Sequence, residues 1–242
     1  MPNIKKPKMV IFDYGHTLVY EADYDNMSGA EALLQHTAPG GRAVTKEEFN
    51  EISSEIYNMG QTARGTAMEI EFTNMLRFTC EFLGLTLTLS YREAEEVFWD
   101  AAAPGEAMGH IVETLRFLRD NGYRTGVISN ISFCGHNLKR RIDKCIPGNN
   151  FEFIMASSDY IVRKPHPLLF KLALNKAGLS PDEAWYCGDS PDFDVAGAAS
   201  AGIFPVWYHS TRPCYYRKEE DIVKPTEKHL YIREWIELIK EL

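Results

Sequence analysis

The chain has 242 residues, enough for one sizeable domain or for a core domain that carries a smaller second module. Hydrophobic residues make up 45% of the chain and charged residues 25%, which is typical of globular proteins and argues against a disordered or fibrous chain. The formal net charge of -8 argues against a nucleic-acid partner, because an extended nucleic-acid contact needs a basic surface.

The first predicted element is a buried strand over residues 9–12, an apolar run with β-branched and aromatic side chains. Asp13 follows it directly and opens the segment 13–17. In open α/β sheets, ligands bind at the carboxyl ends of the strands. A carboxylate in that position can attack phosphorus and form an acyl phosphate, which divides one difficult displacement into two easier ones.

The next stretch, residues 20–104, shows helical patterns and almost no strand pattern, so we expect an inserted helical module. Three pairs with capping-box spacing predict helix starts: Thr45 with Glu48, Thr66 with Glu69, and Ser90 with Glu93. Gly84 is expected to end the second of these helices.

Short apolar runs alternate with helical patterns from about residue 106 onward, and this alternation predicts a parallel sheet with helices on both faces. The predicted strands cover residues 124–129, 153–157, 185–187 and 203–207. A helix is predicted over 168–177, with Gly178 just past its end, and a terminal helix over 230–240.

Four polar segments end a predicted strand or follow one closely. They are residues 13–17, Ser129 with Asn130, residues 163–165, and residues 188–194. Because the carboxyl ends of parallel strands share one sheet edge, we expect the four segments to converge there.

This set of motifs resembles the haloacid dehalogenase-like superfamily, in particular its members with an α-helical cap inserted after the first motif. The motifs occur in the family's order, and residues 163–167 followed by Phe170 are close to its lysine loop. The resemblance implies an α/β fold, with a Rossmann-like parallel sheet and a small helical cap. It divides the chain into a core, residues 1–19 and 105–242, and a cap, residues 20–104.

The resemblance also implies a magnesium site. Asp13 would be the nucleophile and a metal ligand, and the backbone carbonyl of Gly15 can supply a second ligand without any side chain. Asp189 would bind magnesium directly. Asp194 would bind it directly, bind it through water, or orient Lys164. Magnesium suits such a site, since it takes few carboxylates and retains several waters.

The phosphoryl group of the substrate would be held by the remaining motif residues. Ser129 and the amide of Asn130 would bind a phosphoryl oxygen, and Lys164 would neutralise the charge that develops on it. The implied partner is a small phosphorylated metabolite. In the cap, Arg42 and Arg64 are candidate anion contacts. The sequence leaves open whether the protein is a monomer or a homodimer.

Gly15 departs from the family pattern, in which a second aspartate two residues after the nucleophile protonates the leaving oxygen and later activates water. General acid-base assistance is typically worth ~10²- to 10⁴-fold. His16 is the nearest possible acid or base, since histidine titrates near neutrality. We therefore expect slow or unconventional proton transfer.

Three functions remain open. The leading hypothesis is a magnesium-dependent phosphatase. A 2-haloacid dehalogenase or a phosphonate hydrolase would tolerate Gly15, but Asp189 and Asp194 oppose a metal-free dehalogenase. The third is a catalytically impaired module that binds phosphate or protein.

The five cysteines are scattered and form no Cys-x-x-Cys pair, which predicts neither a zinc site nor a disulfide framework. The apolar run near the N-terminus stops at Phe12, too short for a signal peptide or a membrane span. We expect a cytoplasmic protein without a membrane partner.

Overall fold

The computed structural model describes residues 5–242, except for the side chains of residues 61–64. The strands are β1 (Met9–Phe12), β2 (Val19–Glu21), β3 (Gly105–Ala107), β4 (Arg124–Ser129), β5 (Ile154–Ala156), β6 (Ala184–Gly188), β7 (Phe204–Tyr208) and β8 (Leu230–Ile232). The helices are α1 (Asn26–Leu34), α2 (Lys46–Gly65), α3 (Phe72–Phe82), α4 (Tyr91–Ala102), α5 (Ile111–Asp120), α6 (Gly135–Cys145), α7 (Ser157–Tyr160), α8 (Pro167–Ala177), α9 (Gly197–Ser200) and α10 (Trp235–Glu241).

Six strands form one parallel sheet in the order β5-β4-β1-β6-β7-β8. β1 lies in the middle, between β4 and β6, and all four of its residues are fully buried. This burial on both faces explains why the strand is a continuous apolar run rather than an alternating one. The predicted Rossmann-like α/β fold is confirmed.

The side chains of alternate β1 residues pack on opposite faces of the sheet. Val10 and Phe12 pack into one apolar cluster, together with side chains from α5, α6 and α10. Met9 and Ile11 pack into a second cluster, with side chains from α8 and α9. Successive side chains of a strand point to opposite faces, so each helical layer is fixed to β1.

The C-terminal prediction is partly wrong, because residues 230–232 form β8 and the helix begins only at Trp235. β8 pairs with β7, and the His209 amide also donates to the carbonyl of Ile232 at 2.8 Å. Pairing at the sheet edge therefore overrides the local helical pattern. Trp235 is fully buried, and its indole N–H donates to the carbonyl of Thr17 at 2.9 Å.

Four helices, α1 to α4, lie between β2 and β3, which pair with each other in antiparallel orientation. These helices enclose an apolar cluster of their own that includes Leu33, Leu76, Cys80 and Phe98. The helical pattern of this stretch is confirmed, and its assignment to a cap stays a prediction.

Two of the three predicted capping boxes are confirmed. At the start of α2, the Glu48 amide donates to Thr45 Oγ1 and the Thr45 amide donates to the Glu48 carboxylate. At the start of α4, Ser90 and Glu93 make the same reciprocal pair. Gly84, with φ of 67°, follows the last turn of α3, as expected.

The third predicted box, Thr66 with Glu69, is wrong, since α3 begins only at Phe72. The Glu69 carboxylate instead accepts a hydrogen bond from Ser157 Oγ at 2.9 Å, and its side chain is buried. A tertiary contact with the parallel-sheet part of the chain replaces the local cap. Among the described residues, no helix is both long enough and apolar enough to cross a bilayer.

Candidate active site

Asp13 lies at the carboxyl edge of the sheet, one residue beyond β1. Its backbone N–H donates to the carbonyl of Cys187 at 2.8 Å, which continues the hydrogen bonding toward β6. The residue is only 8% exposed. The strand thus delivers a buried, fixed carboxylate to the edge where α/β sheets bind ligands.

Lys164 is held in place from two directions. Its backbone N–H donates to Asn130 Oδ1 at 2.7 Å, and Asn130 Nδ2 donates to the Lys164 carbonyl at 2.9 Å. Its ammonium donates to Asp13 Oδ1 at 2.7 Å, to Asp194 Oδ1 at 2.6 Å and to the Tyr186 hydroxyl at 2.8 Å. All three ammonium protons have acceptors, so Lys164 is a fixed cation in contact with Asp13.

Ser129 and Asn130 lie at the carboxyl end of the neighbouring strand, β4. Ser129 ends β4, the strand paired with β1, and is 2% exposed. The Asn130 side chain fixes the lysine loop, a contact that the sequence does not indicate. Its expected role, an amide that binds a phosphoryl oxygen, stays a prediction.

Asp189 and Asp194 lie in the turn after β6, on the other side of β1. A π-helical turn over Pro191–Ala196 brings Asp194 back over Gly188. A Cβ at position 188 would lie 2.3 Å from Asp194 Cγ, so only glycine leaves room for that carboxylate. The Ser190 amide donates to Asp194 Oδ2 at 2.9 Å and fixes it further.

One carboxylate oxygen from each of Asp13, Asp189 and Asp194 lies within 4.8 Å of the others, and all three residues are buried. Burial raises the pKa of Asp13 and of Asp189 above the ordinary aspartate range, and the neighbouring carboxylates raise both further. Burial alone would lower the pKa of Lys164, but Asp13 and Asp194 outweigh it and the pKa is raised. The lysine stays charged among carboxylates that repel one another.

The acidic cluster could hold a hard divalent cation. Its donors are all carboxylate oxygens, the ligand type that magnesium and calcium prefer, and they converge from two different loops. A cation between them would relieve the repulsion that burial intensifies. The donor chemistry therefore fits the magnesium ion that the sequence motifs imply.

Arg217 is a site residue that the sequence did not reveal. It comes from the long segment after β7, and its guanidinium donates to Asp189 Oδ2 at 2.5 Å. Its side chain is 22% exposed, and the pKa of Arg217 is raised, because Asp189 outweighs the effect of burial. An arginine in an irregular polar segment has no local pattern that would indicate this contact.

His16 lies beneath the same segment, in a left-handed backbone conformation with φ of 51°. Its ring packs against Tyr20 and Tyr216, with centroids 5.3 Å and 5.1 Å away. Burial, with the nearby Arg217 and Arg212, lowers the pKa of His16 to about 4. Within the described part of the chain, its buried Nε2 has no hydrogen-bond partner. A neutral imidazole is therefore the form present near neutral pH.

Gly15 has open space around it. A Cβ built at this position would meet no atom within 4 Å among the described residues, and its φ lies outside the left-handed region. Glycine is therefore not required here by close packing or by the backbone. The site has room for the carboxylate that the family pattern would place there.

The structure brings Asp13, Lys164, Asp189 and Asp194 into one cluster. Of the cap candidates, Arg42 pairs with Glu48 at the start of α2, at 2.5 Å. The Arg64 side chain lies outside the described residues. Tyr186, whose hydroxyl accepts a hydrogen bond from Lys164, could not be predicted from the sequence, because it lies within an apolar strand and has no motif of its own.

The chain is similar to known proteins both in sequence and in structure. A glyceraldehyde 3-phosphate phosphatase from Pyrococcus furiosus is 36% identical over 98 residues, 40% of this chain and 39% of the relative, so the match spans well under half of that protein's length. An enzyme of the same name from Methanothermobacter thermautotrophicus is 26% identical over 84% of this chain and 86% of its own.

A 2-haloacid dehalogenase structure from Pseudomonas syringae pv. Tomato DC3000 covers 97% of both chains with a TM-score of 0.64 and 24% identity, a likeness of fold. A family model described as haloacid dehalogenase-like hydrolase matches residues 7–202, most of the chain. The chain therefore belongs to the haloacid dehalogenase-like hydrolase family.

Proposed function

We propose that this hydrolase is a magnesium-dependent phosphatase that acts on a small phosphorylated metabolite through an aspartyl-phosphate on Asp13. The observation that carries the proposal is the contact between Lys164 and Asp13 inside a buried cluster of three carboxylates. A fixed cation beside a nucleophilic carboxylate suits phosphoryl transfer, in which positioning and charge stabilisation dominate. The phosphatase names of the Pyrococcus and Methanothermobacter relatives support the same reaction class.

Each residue has a defined part in the first step. Asp13 attacks the phosphorus atom and the ester oxygen leaves, which forms the acyl phosphate. Ser129 Oγ and the backbone amide of Asn130 hold a phosphoryl oxygen, and Lys164 offsets the negative charge that grows on the phosphoryl group. When bound by Asp13, Asp189, Asp194 and the Gly15 carbonyl, magnesium supplies further positive charge at the phosphoryl oxygens.

Proton transfer is the weak point of this site. At the position of Gly15 no side chain can protonate the leaving oxygen or activate water for hydrolysis of the acyl phosphate. His16 is a poor substitute acid, because a pKa of about 4 leaves it almost entirely neutral near pH 7. We infer that breakdown of the aspartyl-phosphate is slow relative to its formation on a substrate with a good leaving group.

The helical insert would act as a cap. We assign residues 20–104 to the cap and residues 1–19 and 105–242 to the core. The insert is tied to the core by Glu95, which is fully buried and accepts from the Cys134 amide at 3.1 Å and from Asn137 Nδ2 at 2.6 Å. A cap that closes over the site excludes water and contacts the substrate.

The free state of the cysteines supports a reducing compartment. All five are unpaired thiols. Reduced thiols are typical of the cytoplasm, and we place the protein there.

The direct test is a panel of phosphoesters assayed with and without magnesium. The variants are wild type, Asp13→Asn, and Asp120→Asn as a control, since Asp120 is exposed and pairs with Arg119 on the surface. We expect magnesium-dependent phosphate release from wild type and from the control, and a loss of about 10⁴-fold or more in Asp13→Asn.

Other outcomes would contradict the proposal. Turnover that needs no metal, or that survives Asp13→Asn, would exclude the aspartyl-phosphate mechanism. Halide release from a 2-haloacid without magnesium would identify a dehalogenase. A beryllium fluoride adduct at Asp13 with no hydrolysis across the panel would indicate a binding module.

A further inference from the structure

Arg217 approaches the acidic cluster from the side opposite to Ser129 and Asn130, the residues proposed to hold the phosphoryl group. Ser129 ends β4, on one side of β1, whereas Arg217 belongs to the segment after β7, on the other side. Its guanidinium reaches Asp189, the first residue after β6. Arg217 therefore lies beside the acidic cluster on its β7 side, away from Ser129.

The segment that carries Arg217 covers the loop after β1. Tyr216 packs against His16, and the guanidinium of Arg212 lies 3.5 Å above the ring of Tyr20. Arg212 also pairs with Glu106 in β3 at 2.6 Å. These contacts hold the segment over the loop that follows β1 and place the Arg217 side chain beside the acidic cluster.

A charge count shows what a metal ion would do to Arg217. The three carboxylates, with Lys164, leave a formal charge of about −2, which Arg217 reduces to about −1. A divalent cation would balance the charge of the carboxylates without Arg217 and would weaken the attraction between Arg217 and Asp189. Arg217, whose side chain is 22% exposed and whose buried Nε has no hydrogen-bond partner among the described residues, could then pair with another anion.

We propose that Arg217 selects substrates with a second anionic group, such as a carboxylate or another phosphate, near the phosphoester. This inference rests on the proposed magnesium phosphatase and defines its substrate class. In the resting protein Arg217 bonds Asp189; with metal bound, its guanidinium bonds the second anion of the substrate. Guanidinium groups bind carboxylates and phosphates with paired, charge-assisted hydrogen bonds.

The test compares phosphoglycolate with ethyl phosphate, which have the same chain length and differ by a carboxylate in place of a methyl group. Steady-state kinetics are measured for wild type, Arg217→Gln and Lys218→Gln. The last is the matched control, because Lys218 is the adjacent cation of the same segment and is exposed. Calorimetry with magnesium alone provides a readout that does not depend on turnover.

We expect Arg217→Gln to raise KM for phosphoglycolate by about tenfold or more, the equivalent of one charge-assisted hydrogen bond, with little change in kcat. KM for ethyl phosphate should change by less than about twofold on the same reasoning, since no charged partner is lost. Lys218→Gln should keep the wild-type preference for phosphoglycolate. Magnesium should bind Arg217→Gln as tightly as wild type or more tightly.

Two results would overturn the inference: equal effects of Arg217→Gln on both compounds, or weaker magnesium binding by that variant. If wild type hydrolyses no compound of the phosphoester panel, the proposed function fails, and calorimetric affinities for phosphoglycolate and ethyl phosphate then decide the role of Arg217. Equal affinities in wild type and Arg217→Gln would refute it.

Discussion

Replacement of Gly15 by aspartate should accelerate turnover. The position accepts a side chain, because an added Cβ meets no described atom within 4 Å and the backbone is not in the left-handed region. The new carboxylate would lie two residues from Asp13, near carboxylates whose charge disfavours its ionisation. A raised pKa is what a general acid working near neutral pH requires.

The size of the gain follows from what the natural site lacks. With a pKa of about 4, only about one His16 in a thousand carries a proton at pH 7, so that side chain contributes little as an acid. A well-placed acid-base group is typically worth ~10²- to 10⁴-fold. The low end, about 100-fold in kcat, is the reasonable expectation for a carboxylate that the surrounding protein was not built to orient.

The assay is phosphate release at saturating magnesium, with Gly15→Asn and Gly15→Ala as controls. Asparagine has the shape of aspartate without its acid, and alanine tests the effect of any side chain. We expect only the aspartate variant to gain. Equal rates for aspartate and asparagine would refute the reasoning and show that proton transfer does not limit this enzyme.

Three further variants test the electrostatics and packing around the site. Lys164→Met should lower stability by about 3–5 kcal/mol, since it leaves buried carboxylates unpaired, and urea unfolding should show a smaller loss at acidic pH; a pH-independent loss would contradict this. Burial raises the pKa of Glu95 to about 7 in the folded protein. The contribution of Glu95 to stability is therefore greatest below its pKa in the unfolded chain, about 4.5, and declines as the pH rises from there to about 7. Unfolding curves of Glu95→Gln should therefore lose up to ~3 kcal/mol of that pH dependence, whereas parallel curves would show that Glu95 does not titrate there. Trp235→Ala should cost about 3–5 kcal/mol through lost core packing; a loss below about 1 kcal/mol, measured by chemical denaturation, would mean that α10 is not part of the cooperative core.

The sheet was predictable because local sequence patterns indicate its strands. β1 and β4 are short apolar runs, and Asp13 and Ser129 follow or end them at the edge where ligands bind. Helix starts with a local capping pair, such as Ser90 with Glu93, could also be predicted from the sequence. In each case the stabilising contact lies within a few residues of the pattern that predicts it.

The missed features depend on contacts distant in sequence. Glu69 has the spacing of a cap residue, but its carboxylate bonds Ser157, 88 positions away. Arg217 meets Asp189 only because the segment after β7 folds back over the sheet edge. The pattern of β8 resembles a helix start, and pairing with β7 decides its structure. No local pattern encodes such contacts, so the sequence alone could not place them.

We expect the site to form an aspartyl-phosphate and to be defective only in proton transfer. The most direct test of this expectation is mass spectrometry of the Asp13 peptide after wild-type protein is mixed with magnesium and a phosphorylated substrate and quenched in acid. We predict that a phosphoryl group accumulates on Asp13 in wild type and falls to a lower steady level in Gly15→Asp. Sustained phosphate release with no phosphoryl group on Asp13 would contradict the account.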